Sequence, residues 1–119
     1  TEKHVVYSGK HWKIICPHAS RFNYEMCIIP AKHVRSISDL GGSQLLELAF
    51  ALKKAILSLD ERVGRPPYNI IFNTAPRGMQ FHFHIEILPR LARWAGFEFG
   101  SGMTMNSVPP EGAARLLKF

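Results

Sequence analysis

Hydrophobic and polar residues alternate strictly between positions 80 and 89, which is the pattern of a β-strand with two different faces. One face would point four apolar side chains into a core: Phe81, Phe83, Ile85 and Ile87. The other face would carry a polar row whose neighbours are about 6.6 Å apart, at roughly 3.3 Å per residue: Gln80, His82, His84 and Glu86. The pattern therefore predicts a polar, chemically capable surface on a strand that also anchors the core.

Shorter apolar stretches predict four further strands, at residues 5–7, 12–16, 24–29 and 68–73. Between residues 44 and 63, apolar positions recur at 45, 49, 52, 56, 59 and 63. These spacings of three and four predict an amphipathic helix of about five turns. Ser43 is the expected N-cap and Gly64 the expected C′ residue. Prolines 109 and 110 predict the first turn of a short C-terminal helix.

The predicted helix and the cysteines refine this description. Charged residues are expected on the exposed side of the helix: Glu47, Lys53, Lys54, Asp60 and Glu61.

Cys16 and Cys27 form no Cys-x-x-Cys pair, so buried thiols are a better interpretation than a zinc site with His18. Two cysteines also argue against a disulfide scaffold and favour a reducing compartment, which predicts a cytoplasmic protein.

Size and charge limit the classes of function. The chain of 119 residues is long enough for one domain and one core. A net charge of +6 and a pI near 9.7 favour anionic ligands such as phosphates and nucleotides. No run of Lys and Arg exceeds two residues, so we expect no nucleic-acid arm. No apolar run approaches about 20 residues and no signal-peptide pattern occurs, so we expect neither membrane insertion nor export.

The His82 and His84 pair is compatible with two kinds of chemistry. A neutral imidazole can attack the α-phosphorus of a nucleotide and form a covalent nucleotidyl-histidine. Alternatively, both imidazoles can ligate a divalent metal, and further ligands must then come from elsewhere. Directly before this row, Arg77, Gly78 and Gln80 offer a guanidinium, backbone N–H groups and an amide that suit phosphate.

Two parts of the sequence resemble a known family. Residues 27–34, a long helix, Asn73, a glycine-containing loop and residues 82–86 resemble the histidine-triad (HIT) superfamily, whose motif is His-φ-His-φ-His-φ-φ. Residues 84–91 and 95–106 resemble the C-terminal half of galactose-1-phosphate uridylyltransferases and related hexose-1-phosphate nucleotidyltransferases, such as ADP-glucose phosphorylase. The resemblance extends from Trp12 to the C-terminus.

The resemblance implies a fold and a reaction. The expected fold is α+β: a HIT-like, mainly antiparallel sheet with the long helix 43–63 packed on it and a short C-terminal helix. Residues 1–119 would form one such domain, which matches one half of a two-domain enzyme. In the family's ping-pong reaction, a histidine takes a nucleoside monophosphate from a nucleoside-diphosphate sugar and passes it to another sugar phosphate. The implied partners are those substrates and a homodimer mate or partner half-domain.

The resemblance also assigns residue roles. His84 matches the nucleophile position, His82 the supporting position and Glu86 the final position of the motif. In the family's second half the His-x-His pair can hold a metal, so His82 and His84 are candidate ligands of zinc or iron. Residues expected to bind phosphate or sugar are Asn73, Arg77, Gly78, Gln80, Arg90, Phe99, Gly100 and Gly102. The last three lie in a glycine-rich stretch that resembles a segment reaching across a dimer to the sugar.

Glu86 departs from the motif of the transferase branch, which ends in Gln. Gln can donate a hydrogen bond to a phosphoryl oxygen, whereas an ionised Glu cannot and repels it. The repulsion between two like unit charges 4 Å apart is ~4 kcal/mol at an effective dielectric of 20. This repulsion exceeds the ~1 kcal/mol by which a neutral hydrogen bond stabilises a complex. We therefore expect His84 to be a poor nucleophile unless Glu86 is protonated or turned away.

Three functions follow from these observations. The first is a domain of a hexose-1-phosphate nucleotidyltransferase that serves as scaffold, dimer partner and sugar or phosphate site. The second is a free-standing HIT hydrolase of nucleoside phosphoramidates or dinucleoside polyphosphates. The third is a non-catalytic nucleotide-binding or structural module. Whether the domain is itself an enzyme depends on His84.

Overall fold

A computed structural model describes residues 4–17, 23–32, 34, 37–73, 83–90 and 108–119. Within these ranges the chain forms five strands and two α-helices, with a 3₁₀ turn at Ile37–Asp39. The strands are β1 (Val5–Ser8), β2 (Trp12–Ile15), β3 (Met26–Pro30), β4 (Tyr68–Asn73) and β5 (His84–Pro89), and the helices are α1 (Gly42–Val63) and α2 (Pro110–Leu117). The predicted α+β class, with a long helix and a short C-terminal helix, is confirmed.

The five strands form one antiparallel sheet in the order β1-β2-β3-β5-β4. The chain leaves the sheet after β3, crosses it as α1 and returns at the far edge as β4. Strand β5 then enters between β3 and β4, so the candidate strand lies inside the sheet and is paired on both sides.

The face of the sheet toward the helices is the core. Side chains that alternate along β2, β3 and β5 are fully buried there: Trp12, Ile14, Met26, Ile28, Ile85 and Ile87. Phe83 is also buried, and its ring meets the edge of Trp12 at a centroid distance of 6.3 Å. This confirms the predicted inward direction of Phe83, Ile85 and Ile87, whereas Phe81 lies outside the described residues.

Helix α1 buries a different face from the one predicted. Its buried residues are Leu48, Ala51, Ala55, Ser58 and Leu59, so only position 59 belongs to both sets. Leu45, predicted to be buried, is 42% exposed. Nearly every residue between 45 and 52 is apolar, so spacing alone could not fix the face. The observed face places small Ala51 and Ala55 toward the core, where they allow a close approach of the helix.

The ends of α1 also refine the prediction. The helix begins at Gly42 with Gly41 as N-cap, two residues earlier than the expected cap at Ser43. The Gly41 N–H donates to Oε1 of Gln44 at 2.8 Å, which satisfies one N–H group at the helix start. At the other end Gly64 has φ of 95°, the left-handed C-cap that was predicted. Among the described residues, no helix combines the length and apolarity needed to cross a membrane.

Candidate functional site

Strand β5 carries the candidate residues on the face opposite the helices. His84 begins the strand and Glu86 follows two residues later, so both side chains point to this open face. Neighbouring strands add to the same face, because Asn73 of β4 is paired with His84 and Cys27 of β3 is paired with Glu86. Ile71 of β4 lies on the other side of Glu86. The sheet register therefore gathers an imidazole, a carboxylate, an amide and a thiol.

His84 and Glu86 face one another. The Nε2 atom of His84 is 3.9 Å from Oε2 of Glu86, with 32% and 21% of the two side chains exposed. This separation allows an ion pair when the imidazole is protonated, but it is too long for a hydrogen bond. The carboxylate is thus turned toward the ring. Glu86 would not repel a phosphoryl group at His84 if its side chain were turned away from His84. This condition is not met.

Asn73 has an unsatisfied donor beside His84. Its Nδ2 atom is buried and has no hydrogen-bond partner among the residues that the structure describes. A buried amide N–H₂ without an acceptor costs about 1–3 kcal/mol, so an acceptor that reached it would be bound favourably. Phosphoryl and sugar hydroxyl oxygens are such acceptors. This geometry fits the predicted substrate-binding role of Asn73.

The pKa of the Cys27 thiol shows how burial and negative charge act on the open face. Burial, and then the negative charges of Glu86 and Glu25, raise the pKa of the Cys27 thiol to about 12. The thiol is therefore neutral near pH 7, and a neutral thiol is a weak nucleophile. Sequence reasoning did not single out Cys27 for this site. Its place beside Glu86 depends on the pairing of β3 with β5, for which the sequence carries no local signal.

The structure does not bring all the predicted residues together. Arg90 is exposed and follows β5 at its far end, where its N–H donates to the carbonyl of Pro67 at 2.6 Å. At about 3.3 Å per residue it lies roughly 20 Å from His84. The remaining predicted site residues lie outside the described residues: Arg77, Gly78, Gln80, His82, Phe99, Gly100 and Gly102.

Within the described ranges, no group of three or more His, Cys, Asp or Glu side chains is arranged to hold a metal ion. His84 and Glu86 place a nitrogen and an oxygen 3.9 Å apart on the same side of the sheet.

Comparison with known proteins finds similarity between this chain and part of longer enzymes. Galactose-1-phosphate uridylyltransferase of Thermotoga maritima is 32% identical over 129 residues, which covers 98% of this chain and 41% of that protein. The structure of ADP-glucose phosphorylase from Arabidopsis thaliana with bound ADP-glucose matches with a TM-score of 0.83 and 28% identity, over 98% of this chain and 40% of that one. The chain thus spans less than half the length of these relatives.

Smaller proteins share the fold alone. A histidine triad nucleotide-binding protein from Sulfolobus tokodaii matches with a TM-score of 0.72 at 19% identity, over 96% of this chain and 80% of that one. A scan against family models found no match. The chain is therefore close in length to a histidine triad protein, whereas its sequence identity is higher to the longer enzymes.

Proposed function

We propose that the chain, which resembles galactose-1-phosphate uridylyltransferase in sequence and histidine triad proteins in fold, is a domain of the uridylyltransferase type. It would form part of an enzyme that moves a nucleoside monophosphate between a nucleoside-diphosphate sugar and a sugar 1-phosphate. Support for this substrate class comes from the relatives, which are named for galactose 1-phosphate and ADP-glucose. The basic charge of the chain fits the same anionic ligands.

Within such an enzyme, the domain would bind sugar or phosphate and support the reaction rather than supply the nucleophile. The observation that carries this proposal is the Glu86 carboxylate 3.9 Å from Nε2 of His84. A catalytic His84 would form an N–P bond at the α-phosphorus while the P–O bond to the hexose 1-phosphate breaks. An ionised carboxylate at this distance repels the phosphoryl oxygens during that step. It can instead accept hydrogen bonds from sugar hydroxyls.

Substrate would be held by groups around this carboxylate. The unsatisfied Nδ2 of Asn73 is the described donor with the clearest capacity. The proposal also includes the sequence-based candidates Arg77, Gly78 and Gln80 for phosphate and the stretch with Phe99, Gly100 and Gly102 for sugar. Arg90 would bind a part of the ligand that lies far from His84, because Arg90 is at the other end of β5.

A divalent metal, zinc or iron, is a further part of the proposal. Zinc ligands lie about 2 Å from the ion in a tetrahedral arrangement, so two ligands of one ion are about 3.3 Å apart. Nε2 of His84 and Oε2 of Glu86, 3.9 Å apart, would have to move closer together to share an ion. Further ligands would have to come from outside the described residues, with His82 the candidate. A bound cation would neutralise Glu86 and thereby remove its repulsion of phosphate.

The domain would act with a partner, either a second copy or another half-domain, in the cytoplasm. The support for a partner is that the chain aligns with less than half of each relative.

Incubation of the protein with labelled UDP-glucose, followed by a search for an acid-labile adduct, tests the proposal. We expect binding without an adduct in the wild type. The variant Glu86→Gln restores a hydrogen-bond donor and removes a charge, so we expect tighter nucleotide-sugar binding, by about tenfold for each 1.4 kcal/mol recovered. Glu61→Gln is the matched control, since Glu61 is exposed on α1, and should bind like the wild type.

Other outcomes would select the other functions. An adduct that is lost in His84→Ala would make His84 a working nucleophile. Hydrolysis of a phosphoramidate or dinucleoside polyphosphate, also lost in His84→Ala, would favour the free-standing hydrolase. Nucleotide affinity that is the same in wild type, His84→Ala and Glu86→Gln would leave only a structural module.

A further inference from the structure

Helix α1 has a second apolar face, which is directed away from the core. Leu46, Phe50 and Leu57 on this face are 74%, 50% and 40% exposed. At about 100° per residue the three positions lie within about 40° of one another, nearly opposite the buried face of the helix. They form a stripe that is about 16 Å long at 1.5 Å per residue. These three residues are the outer stripe of α1.

The apolar surface continues from Phe50 onto the neighbouring elements. The ring of Tyr7 lies 6.0 Å from that of Phe50 and 5.3 Å from that of Phe119, on which it stacks. Phe119 is 36% exposed, and its N–H donates to the carbonyl of Val6 at 3.3 Å. A single exposed leucine is ordinary on a protein surface, whereas a contiguous apolar patch marks an interaction site. The outer stripe and this aromatic group therefore need an explanation.

Two pairs of charged residues flank the outer stripe. Lys53 and Lys54 lie on either side of it, one turn before Leu57. Asp60 and Glu61 lie on either side of it, one turn after Leu57. Among the residues that the structure describes, none forms an ion pair with either lysine. The face therefore presents a positive region and, about 10 Å further along the helix, a negative region.

The two signs of charge decide which kind of partner fits this face. An anionic membrane carries one sign of charge, so it would attract the lysine pair and repel Asp60 and Glu61. Membrane recognition of this kind also uses larger clusters, of about four to eight basic residues. A helix of another protein can instead present acidic residues to the lysines, basic residues to the acidic pair and apolar residues to the stripe. The charge pattern therefore favours a protein helix over a lipid surface.

We propose that the outer face of α1 is a docking surface for an amphipathic helix of another protein. The apolar side of that helix would cover the outer stripe, its acidic residues would face Lys53 and Lys54, and its basic residues would face Asp60 and Glu61. The stripe would contact about three turns of the partner helix. This surface and the candidate site lie on opposite sides of the sheet, so the proposal goes beyond the proposed function and requires none of the nucleotide chemistry.

Two designed peptides test the charge pattern by fluorescence anisotropy with the full chain. Both are helical, about four turns long, and carry one stripe of leucines. The first has two Glu beside the stripe at one end and two Lys at the other. The second has the same composition, but each end carries one Glu and one Lys. Both peptides are neutral overall, so the protein charge of +6 affects them equally at long range. We expect the first to bind about threefold to tenfold more tightly.

Protein variants locate the binding surface. Lys53→Glu combined with Lys54→Glu should bind the two peptides equally, because the whole face is then acidic. Lys32→Glu changes the charge of an exposed residue after β3 and should keep the preference for the first peptide. Leu46→Gln should weaken the binding of both peptides by about tenfold, since it removes an apolar contact, and should leave Tm unchanged. Ile70→Gln, an exposed apolar position on β4, should bind both peptides as the wild type does.

Three results would overturn the proposal: no binding of either peptide, equal affinity of the wild type for both, or binding that is unchanged in Leu46→Gln. Sedimentation tests the other occupants, with phosphatidylserine vesicles and with the protein alone over a concentration series. If the peptides showed no preference, vesicle binding lost in Leu46→Gln would assign the face to a membrane, and self-association lost in that variant would assign it to a second copy. A negative UDP-glucose experiment would leave the peptide results unchanged, so the two proposals fail separately.

Discussion

At the scale of single residues, Glu47 joins the helix to the sheet. Its carboxylate accepts hydrogen bonds from the Tyr7 hydroxyl at 2.9 Å, from His11 N–H at 2.8 Å and from Trp12 N–H at 3.2 Å. Sequence periodicity predicted this residue on the exposed side of α1. The prediction was wrong because helical periodicity depends on hydrophobicity alone. It cannot reveal that a carboxylate accepts hydrogen bonds from the N–H groups of a distant hairpin turn.

Replacement of Glu47 by Ala should lower the free energy of unfolding by about 2–3 kcal/mol, because three donors lose a charged acceptor in a half-buried position. Urea denaturation measures this change. Glu61→Ala provides the control: it removes the same group from an exposed position of the same helix and should cost less than about 0.5 kcal/mol. Equal effects of the two substitutions would show that the carboxylate of Glu47 does not stabilise the hairpin.

Gly9 lies against this carboxylate. A Cβ atom on Gly9 would overlap Oε2 of Glu47 and the hydroxyl of Tyr7. We expect Gly9→Ala to destabilise the protein by about 1–3 kcal/mol through this overlap. At Gly42 a Cβ atom would meet nothing within 4 Å, so Gly42→Ala should stay within about 0.5 kcal/mol of wild type. Thermal and urea unfolding of the two variants would reveal the difference, and an equally stable Gly9→Ala would contradict the packing.

At the scale of elements, the sequence predicted which segments are strands and helices far better than it predicted their contacts. Alternation and helical spacing are local signals, so the five strands and two α-helices of the described residues were all recognised. The buried face of α1 was wrong because apolar residues surround its first two turns. For the site, the alternation placed His84 and Glu86 on one face. Strand pairing, a non-local property, was needed to bring Asn73 and Cys27 beside them.

The buried face of α1 can be tested with two leucines. Leu48 is 4% exposed, and Leu48→Ala should cost about 2–4 kcal/mol through lost burial and a cavity. Leu45, three residues earlier, is 42% exposed, and Leu45→Ala should cost less than about 1 kcal/mol. The same substitution in the same helix makes denaturation midpoints directly comparable. A larger loss at Leu45 would restore the face that sequence spacing predicted.

At the scale of the whole molecule, one side of the sheet carries the core and the other carries the candidate site residues His84 and Glu86. α2 completes the core side, where the Ser58 hydroxyl donates to the carbonyl of Leu117 at 2.7 Å and thereby joins the two helices. Cys16 belongs to this core, whereas Cys27 faces the site. Both thiols have strongly raised pKa values, so the stability of the entire domain should respond to alkaline pH.

The alkaline response is best examined at Cys16. Burial, and then the charge of Glu25, raise the pKa of its thiol from 9.0 to about 12. Between pH 9 and pH 12 the unfolded chain loses this proton while the folded chain retains it. Folding therefore becomes less favourable as pH rises, by up to about 1.4 kcal/mol per pH unit for this one group. Below pH 9 the thiol is neutral in both states and contributes no slope.

Urea midpoints measured from pH 8 to pH 11 should therefore fall steeply in the wild type and less steeply in Cys16→Ala. The variant will be less stable at pH 8, because a buried side chain has been shortened, so the comparison rests on the slopes and not on the midpoints themselves. Leu59→Ala, another core truncation without a titratable group, should keep the wild-type slope. If Cys16→Ala and Leu59→Ala showed the same slope, the Cys16 thiol would not be linked to folding, and the alkaline loss would have to come from other groups.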